Sequence, residues 1–221
     1  MLRSTAAKRG GGILLLVALA SSAGCRPRLS AEVIVLDADR ALEVSAVVNA
    51  AGFSRGEMAG YHLIVWKGGA AAEAALFQVA ASDSDILNAL EALGAVAGDA
   101  LDIDTWDQRN DDSSREPDRV VEGSPLEIFV RPSAAGELLP LSEILEDEGG
   151  AGFEMRFGGH RANIPKWRSG CVTCLYSCPG GKTGNARYTV RDFVRGTTRF
   201  RVRPGVLPED GRPVTLRFQL G

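Results

Sequence analysis

Apolar and polar residues alternate along most of this chain, and the alternation predicts strands far more often than helices. Glu32–Asp37 and Leu42–Asn49 are rich in Val and Leu and read as strands. Tyr61–Lys67 (Tyr-His-Leu-Ile-Val-Trp-Lys) is a third, ending at Gly68-Gly69, a hairpin or tight-turn signal. Ala74–Ala80 fits a strand, although its alanines suit a helix as well. Ser82–Gly94 carries the strongest helical pattern. Ser82 and Asp85 have the spacing of a cap, Ile86, Leu87, Leu90 and Leu93 form one apolar stripe, and Gly94 ends it. Asp99–Arg119 is polar and rich in Asp, the composition of a long surface loop. Strands follow at Pro125–Arg131 and Phe153–Phe157, with a short helix over Leu141–Glu148 capped by Ser142. Arg199–Arg203 and Val214–Leu220 alternate clearly and read as strands joined by the Pro-Glu-Asp-Gly turn at 208–211. The sum is an α+β protein: a β-rich mixed or antiparallel sheet, one main helix at about 82–94, and a cysteine-bearing loop.

Residues 1–24 do not fit that pattern. Arg3, Lys8 and Arg9 precede a short apolar run, Ile13–Ala20, and small residues lead to Cys25. This is the layout of a secretory signal peptide, with an apolar run too short for a permanent membrane span. Ser22-Ala23-Gly24 before Cys25 resembles a bacterial lipobox, with Ser22 where Leu is usual. The resemblance implies cleavage before Cys25, lipidation of its sulfur (palmitate among the acyl chains), and residues 25–31 as a tether. Residues 32–221 then form one soluble domain at a membrane surface in the cell envelope, facing the periplasm or the exterior.

Charge divides the chain. Residues 26–150 hold 24 Asp/Glu against 9 Lys/Arg, and residues 151–221 hold 4 against 13. A basic half alone would suggest nucleic acid. An acidic half in the same exported chain removes that expectation and suggests two halves that face or balance each other.

The chemistry lies in Cys171-Val-Thr-Cys174-Leu-Tyr-Ser-Cys178-Pro-Gly-Gly. With Cys25 lipidated, three thiols remain, an odd number that cannot all pair within one chain. Cys171 and Cys174 can reach one tetrahedral ion from a tight turn, and Cys178 can close over it. His160, which follows Gly158-Gly159, is the candidate fourth ligand to zinc. The spacing also matches the last three cysteines of the bacterial ferredoxin run, with Arg168 where the first would stand, so an iron–sulfur cluster is the other cofactor considered. A thiol–disulfide redox pair and a plain structural disulfide remain as alternatives. Gly181-Lys182-Thr183 lacks the earlier glycine of a phosphate loop, because Tyr176 occupies that place. The Asp102–Asp112 stretch fails the order of a calcium loop. His62 and His160 are the only histidines available as a base, and no triad pattern accompanies either.

The cysteine segment through Asn185-Ala-Arg-Tyr-Thr-Val-Arg-Asp-Phe193, together with the stretch from His62 through Gly68-Gly69 and Leu76-Phe77 to Ala89–Gly94, resembles the YdjY-like family of bacterial envelope proteins. Members are often described as ferredoxin-like. The resemblance implies that Cys171, Cys174 and Cys178 act as a set. It also marks a difference: Ala70-Ala71-Ala72-Glu73 stands where members often carry a His-Glu pair. The expected function is a lipid-anchored envelope protein whose cysteines hold a metal or iron–sulfur centre, for electron transfer or support of a redox or envelope partner. A catalytic site of its own is not expected.

Overall fold

The computed structural model describes residues 32–221; the leader, Cys25 and the tether lie outside the described residues. Four strands form the first half: β1 (Val33–Leu36), β2 (Ala41–Val48), β3 (His62–Trp66) and β4 (Ala75–Val79). Eight more follow: β5 (Leu126–Arg131), β6 (Leu139–Pro140), β7 (Leu145–Asp147), β8 (Met155–Phe157), β9 (Cys171–Cys174), β10 (Thr183–Asn185), β11 (Phe200–Val202) and β12 (Pro213–Leu220). The main sheet runs β6-β5-β12-β2-β4-β3-β9-β10-β8, with β1 added on β2. It curls back on itself, since Pro125, just before β5, bridges Arg156 of β8.

Burial follows the amino-acid pattern. In β12 every second residue is buried, so one face looks inward and the other toward solvent. The central strands β3 and β9 are covered on both faces, which is why their residues are almost all buried rather than alternating. The sheet is mixed: β3 and β4 are parallel, as are β9 and β10. Gly68-Gly69 therefore opens a short return between parallel strands, not a hairpin. Gly69 passes Gly170 so closely that a Cβ on Gly170, whose φ is +68°, would meet the Gly69 Cα at 2.6 Å.

The helices are α1 (Ala50–Phe53), α2 (Asp83–Ala92), α3 (Ile103–Asp107), α4 (Leu141–Ile144) and α5 (Val190–Arg195). The expected main helix is α2. Ser82 and Asp85 form a reciprocal capping box, and Ile86, Leu87 and Leu90 are buried. Among the described residues no helix is long and apolar enough to cross a membrane.

Three expectations change. The Asp-rich segment 99–119 is not only surface loop. Asp102 caps α3, Thr105 and Leu101 are buried, and Trp106 packs edge-on against Tyr61. Its acidic residues mask these anchors in the sequence. The chain at 141–148 gives a single turn, α4, whose N-cap is Pro140 rather than Ser142, and then turns into β7. β11 and β12 are not partners: β11 pairs with β7, whereas β12 lies between β2 and β5. Asp210 in the turn before β12 instead accepts hydrogen bonds from the N–H groups of Ala50 and Ala51 at 2.7 and 3.0 Å, capping α1.

The two oppositely charged parts of the chain meet. Arg191 of α5 reaches Asp118 at 2.6 Å and the Ser114 carbonyl at 2.6 Å, pinning the Asp-rich segment down. Arg217 pairs with Asp39 at 2.9 Å and Arg161 with Glu91 at 2.7 Å.

Candidate metal centre

Strand β9 carries Cys171 and Cys174, and the return 175–182 to parallel strand β10 carries Cys178. The expected cysteine loop is thus a strand and the turn that follows it. In a regular strand, residues three apart point to opposite faces. Here β9 pairs antiparallel with β3 through two register shifts, at His62/Ile64 and Ile64/Val65. Such irregularity re-aims side chains, and both sulfurs end beside one residue of β3. The Cys171 Sγ lies 3.5 Å from His62 Nδ1, and the Cys174 Sγ lies 3.9 Å from it. The ligand atoms of His62, Cys171 and Cys174 all fall within 4.8 Å of one another, and all three residues are buried. These residues can hold a metal ion.

The spacing suits one ion. With sulfur about 2.3 Å and nitrogen about 2.0–2.1 Å from a tetrahedral zinc, S and N stand about 3.5 Å apart. Cysteines of a cluster bind different irons, and so need wider separation than ligands sharing one ion. All three cysteines of the segment are free thiols.

Electrostatics prepare the donors. Burial would raise the Cys171 thiol, but hydrogen bonds from Cys174 and His62, with positive charge on His62 and Lys182, hold it down at about 6. A hydrogen bond from Cys174 lowers Cys178 to about 7 against the opposing effect of burial. Burial pushes Cys174 well up, and its contacts to both other thiols push the same way. Cys174 is thus the least acidic of the three thiols, hydrogen-bonded to both of the others. Burial would lower His62, but the hydrogen bond and negative charge of Cys171 raise it. The His62 Nδ1 and the Cys171 Sγ share a hydrogen bond at 3.5 Å; to hold a metal, that nitrogen would offer its lone pair to the ion.

Lys182 adds a charge that the pattern did not suggest. It is 1% exposed, donates to the Gly180 carbonyl at 2.9 Å, and pairs with buried Asp83 at the start of α2 at 3.5 Å. The pair ties the cysteine turn to the main helix.

His160 is not brought to the sulfurs. Its Nδ1 donates to the Gly181 carbonyl at 2.9 Å, and its Nε2 accepts from the Leu101 N–H at 3.4 Å. Burial lowers its pKa, so the ring is neutral and both nitrogens are engaged. It braces the glycine turn beside Cys174, and His62 stands where the sequence suggested His160. The signal for His62 was a histidine opening an apolar strand, a polar ring at a position the pattern buries.

Fold and site together define a β-rich α+β protein with a buried histidine–thiol cluster able to hold a metal ion. The chain belongs to the YdjY domain family, whose pattern it matches over residues 33–219. It is 31% identical over 160 residues to the uncharacterised protein YdjY of Escherichia coli (strain K12), covering 72% of this chain and 67% of that protein. No solved structure is significantly similar.

Proposed function

We propose that this chain is a metal-binding protein of the cell envelope, tethered through a lipidated Cys25, whose centre is a single ion held by His62, Cys171 and Cys174. The observation that carries this reading is the pair of sulfur–nitrogen distances, 3.5 and 3.9 Å, near the separation that one shared tetrahedral ion requires. Thiolate and imidazole donors favour zinc among abundant ions, with copper(I) the competing soft ion. Cys178, expected from the sequence as a member of the set, is hydrogen-bonded to Cys174 but stands outside the group of three whose ligand atoms lie within 4.8 Å of one another; it would have to close in to serve as the fourth donor. This geometry favours a single ion over the iron–sulfur centre that the cysteine spacing suggests. The role that follows is ion-dependent support of a partner or ligand at the membrane surface, since zinc carries no electrons.

The test is elemental analysis of mature protein purified from its own envelope without chelators. One zinc per chain, lost in Cys171→Ser and in His62→Ala, is the expected result. Iron with acid-labile sulfide would replace the single ion by a cluster. Protein free of any metal, with Cys174 and Cys178 joined by a disulfide, would leave the thiol-redox reading in its place. Mass spectrometry of the N-terminal peptide checks the acyl groups on Cys25.

A further inference from the structure

Three donors leave a tetrahedral ion one position short. His62, Cys171 and Cys174 have ligand atoms within 4.8 Å of one another, and Cys178 stands outside that group. An ion held by three protein donors keeps a fourth position for a molecule from outside, which is what separates open zinc sites from closed ones.

The surrounding walls decide what can arrive there. Cys171 and Cys174 are 0% exposed, whereas His62 and Cys178 retain 7% and 5%. His62 and Cys178 both line a cavity of about 380 Å³, and neither Cys171 nor Cys174 does. The centre thus has a sealed side, at the two cysteines of β9, and an approachable side, at His62 and Cys178. Beyond them the cavity is mainly apolar. Met58, Ala70, Ala71 and Ala74 line it, with Trp106 and Trp167, whose rings stand 5.9 Å apart. Tyr61 adds its ring, since its hydroxyl is buried. Arg168 and Ser169 are the polar residues of the remaining wall. The volume lies at the low end of small-molecule sites, which run from about 300 to 1,000 Å³.

An occupant has two requirements to meet. An ion chosen by thiolate and imidazole accepts a further soft donor. Walls of methyl groups and indoles reward an apolar body, at about 25 cal/mol for each Å² removed from water. A thiol on an apolar group meets both.

We infer, resting on the single-ion reading above, that the centre is open on this side and that the cavity takes a small thiol with an apolar body. Its sulfur gives up its proton to solvent and fills the fourth position, while its body packs against the alanines and indoles.

The probe is phenylmethanethiol, added to full-length mature protein loaded with cobalt(II), whose visible bands report the sulfur donors around it. Phenylmethanol lacks the sulfur, and 2-mercaptoethanol lacks the ring. The probe is expected to strengthen the sulfur-to-cobalt absorption and to saturate at a concentration at least about tenfold below that of 2-mercaptoethanol. Phenylmethanol leaves the bands unchanged. Ala71→Leu, which fills the cavity from its half-buried wall, weakens the probe by at least about tenfold, and Cys178→Ala keeps the response. Equal saturation by the two thiols, indifference to Ala71→Leu, removal of the cobalt by the probe, or a response confined to Cys178→Ala would overturn the inference; the last would mean that Cys178 itself holds the fourth position. A chain that takes up neither cobalt nor zinc sinks the metal reading and this inference with it. A loaded chain whose bands ignore the probe at millimolar concentration sinks this inference alone.

Discussion

Replacing Asp147 by Asn tests how the cysteine return is held. The Asp147 carboxylate accepts from the Thr198 hydroxyl at 2.6 Å, the Tyr188 hydroxyl at 2.7 Å, and the N–H groups of Gly152 and Gly149 at 2.7 and 3.0 Å. Thr198 in turn presents its carbonyl to the Tyr176 hydroxyl at 3.2 Å, and Tyr176 lies two residues before Cys178. Asn keeps one acceptor oxygen and turns an N–H₂ toward the remaining donors. About two hydrogen bonds to a charged acceptor are lost, each about 1.5–3 kcal/mol when fully buried. Partial exposure of Asp147 halves that, giving about 1.5–3 kcal/mol in total, or a fall in Tm of about 3–12 °C for a domain of this size. The pH dependence gives a sharper check. Burial would raise the Asp147 carboxyl, but the Thr198 and Tyr188 hydroxyls and the Gly152 and Gly149 N–H groups outweigh it and hold it below the ordinary carboxylate range. A carboxylate depressed in the folded state stabilises above its unfolded pKa, about 3.9, and that contribution is lost as pH falls through the folded value. The Tm gap between parent and Asp147→Asn should therefore be constant from pH 7 to 5 and shrink below about pH 4. Thermal melts by circular dichroism across that range measure it. No gap at pH 7, or a gap as wide in acid as at neutrality, refutes the reasoning.

Lys182→Met should lower stability by about 3 kcal/mol, because it strands buried Asp83 without its cation, and the double variant Lys182→Met/Asp83→Leu should recover most of the loss; denaturant midpoints measure both, and a neutral single variant contradicts the pairing. His160→Ala should cost about 2 kcal/mol by leaving the Gly181 carbonyl and the Leu101 N–H unsatisfied, yet leave metal content unchanged, as elemental analysis would report. Loss of the ion in that variant would restore His160 as a ligand. Gly170→Ala should cost about 1–3 kcal/mol, since a left-handed backbone and the close pass of Gly69 both reject a side chain, and a Tm equal to the parent's would count against that packing.

The amino-acid order by itself determined what depends on neighbours in the chain. Val- and Leu-rich composition marked β2 and alternation marked β12, each to within a residue or two, because both are local consequences of a half-buried pleated strand. Ser82, Asp85 and Gly94 delimited the main helix, because capping and left-handed termination involve only a few consecutive residues. The spacing of the cysteines suggested a shared site, and two of the three, Cys171 and Cys174, meet beside His62. Partner choice was another matter. Nothing near Tyr61–Lys67 says that β3 runs parallel to β4 and antiparallel to β9, or that the register between β3 and β9 slips twice. The β3–β9 pairing joins residues more than a hundred positions apart, as His62 and Cys174 are, and both pairings are selected by how the whole sheet buries its faces. For the same reason the tertiary structure alone decided that His62 meets the sulfurs, that His160 braces the turn instead, and that an acidic stretch delivers Trp106 to the wall of the cavity.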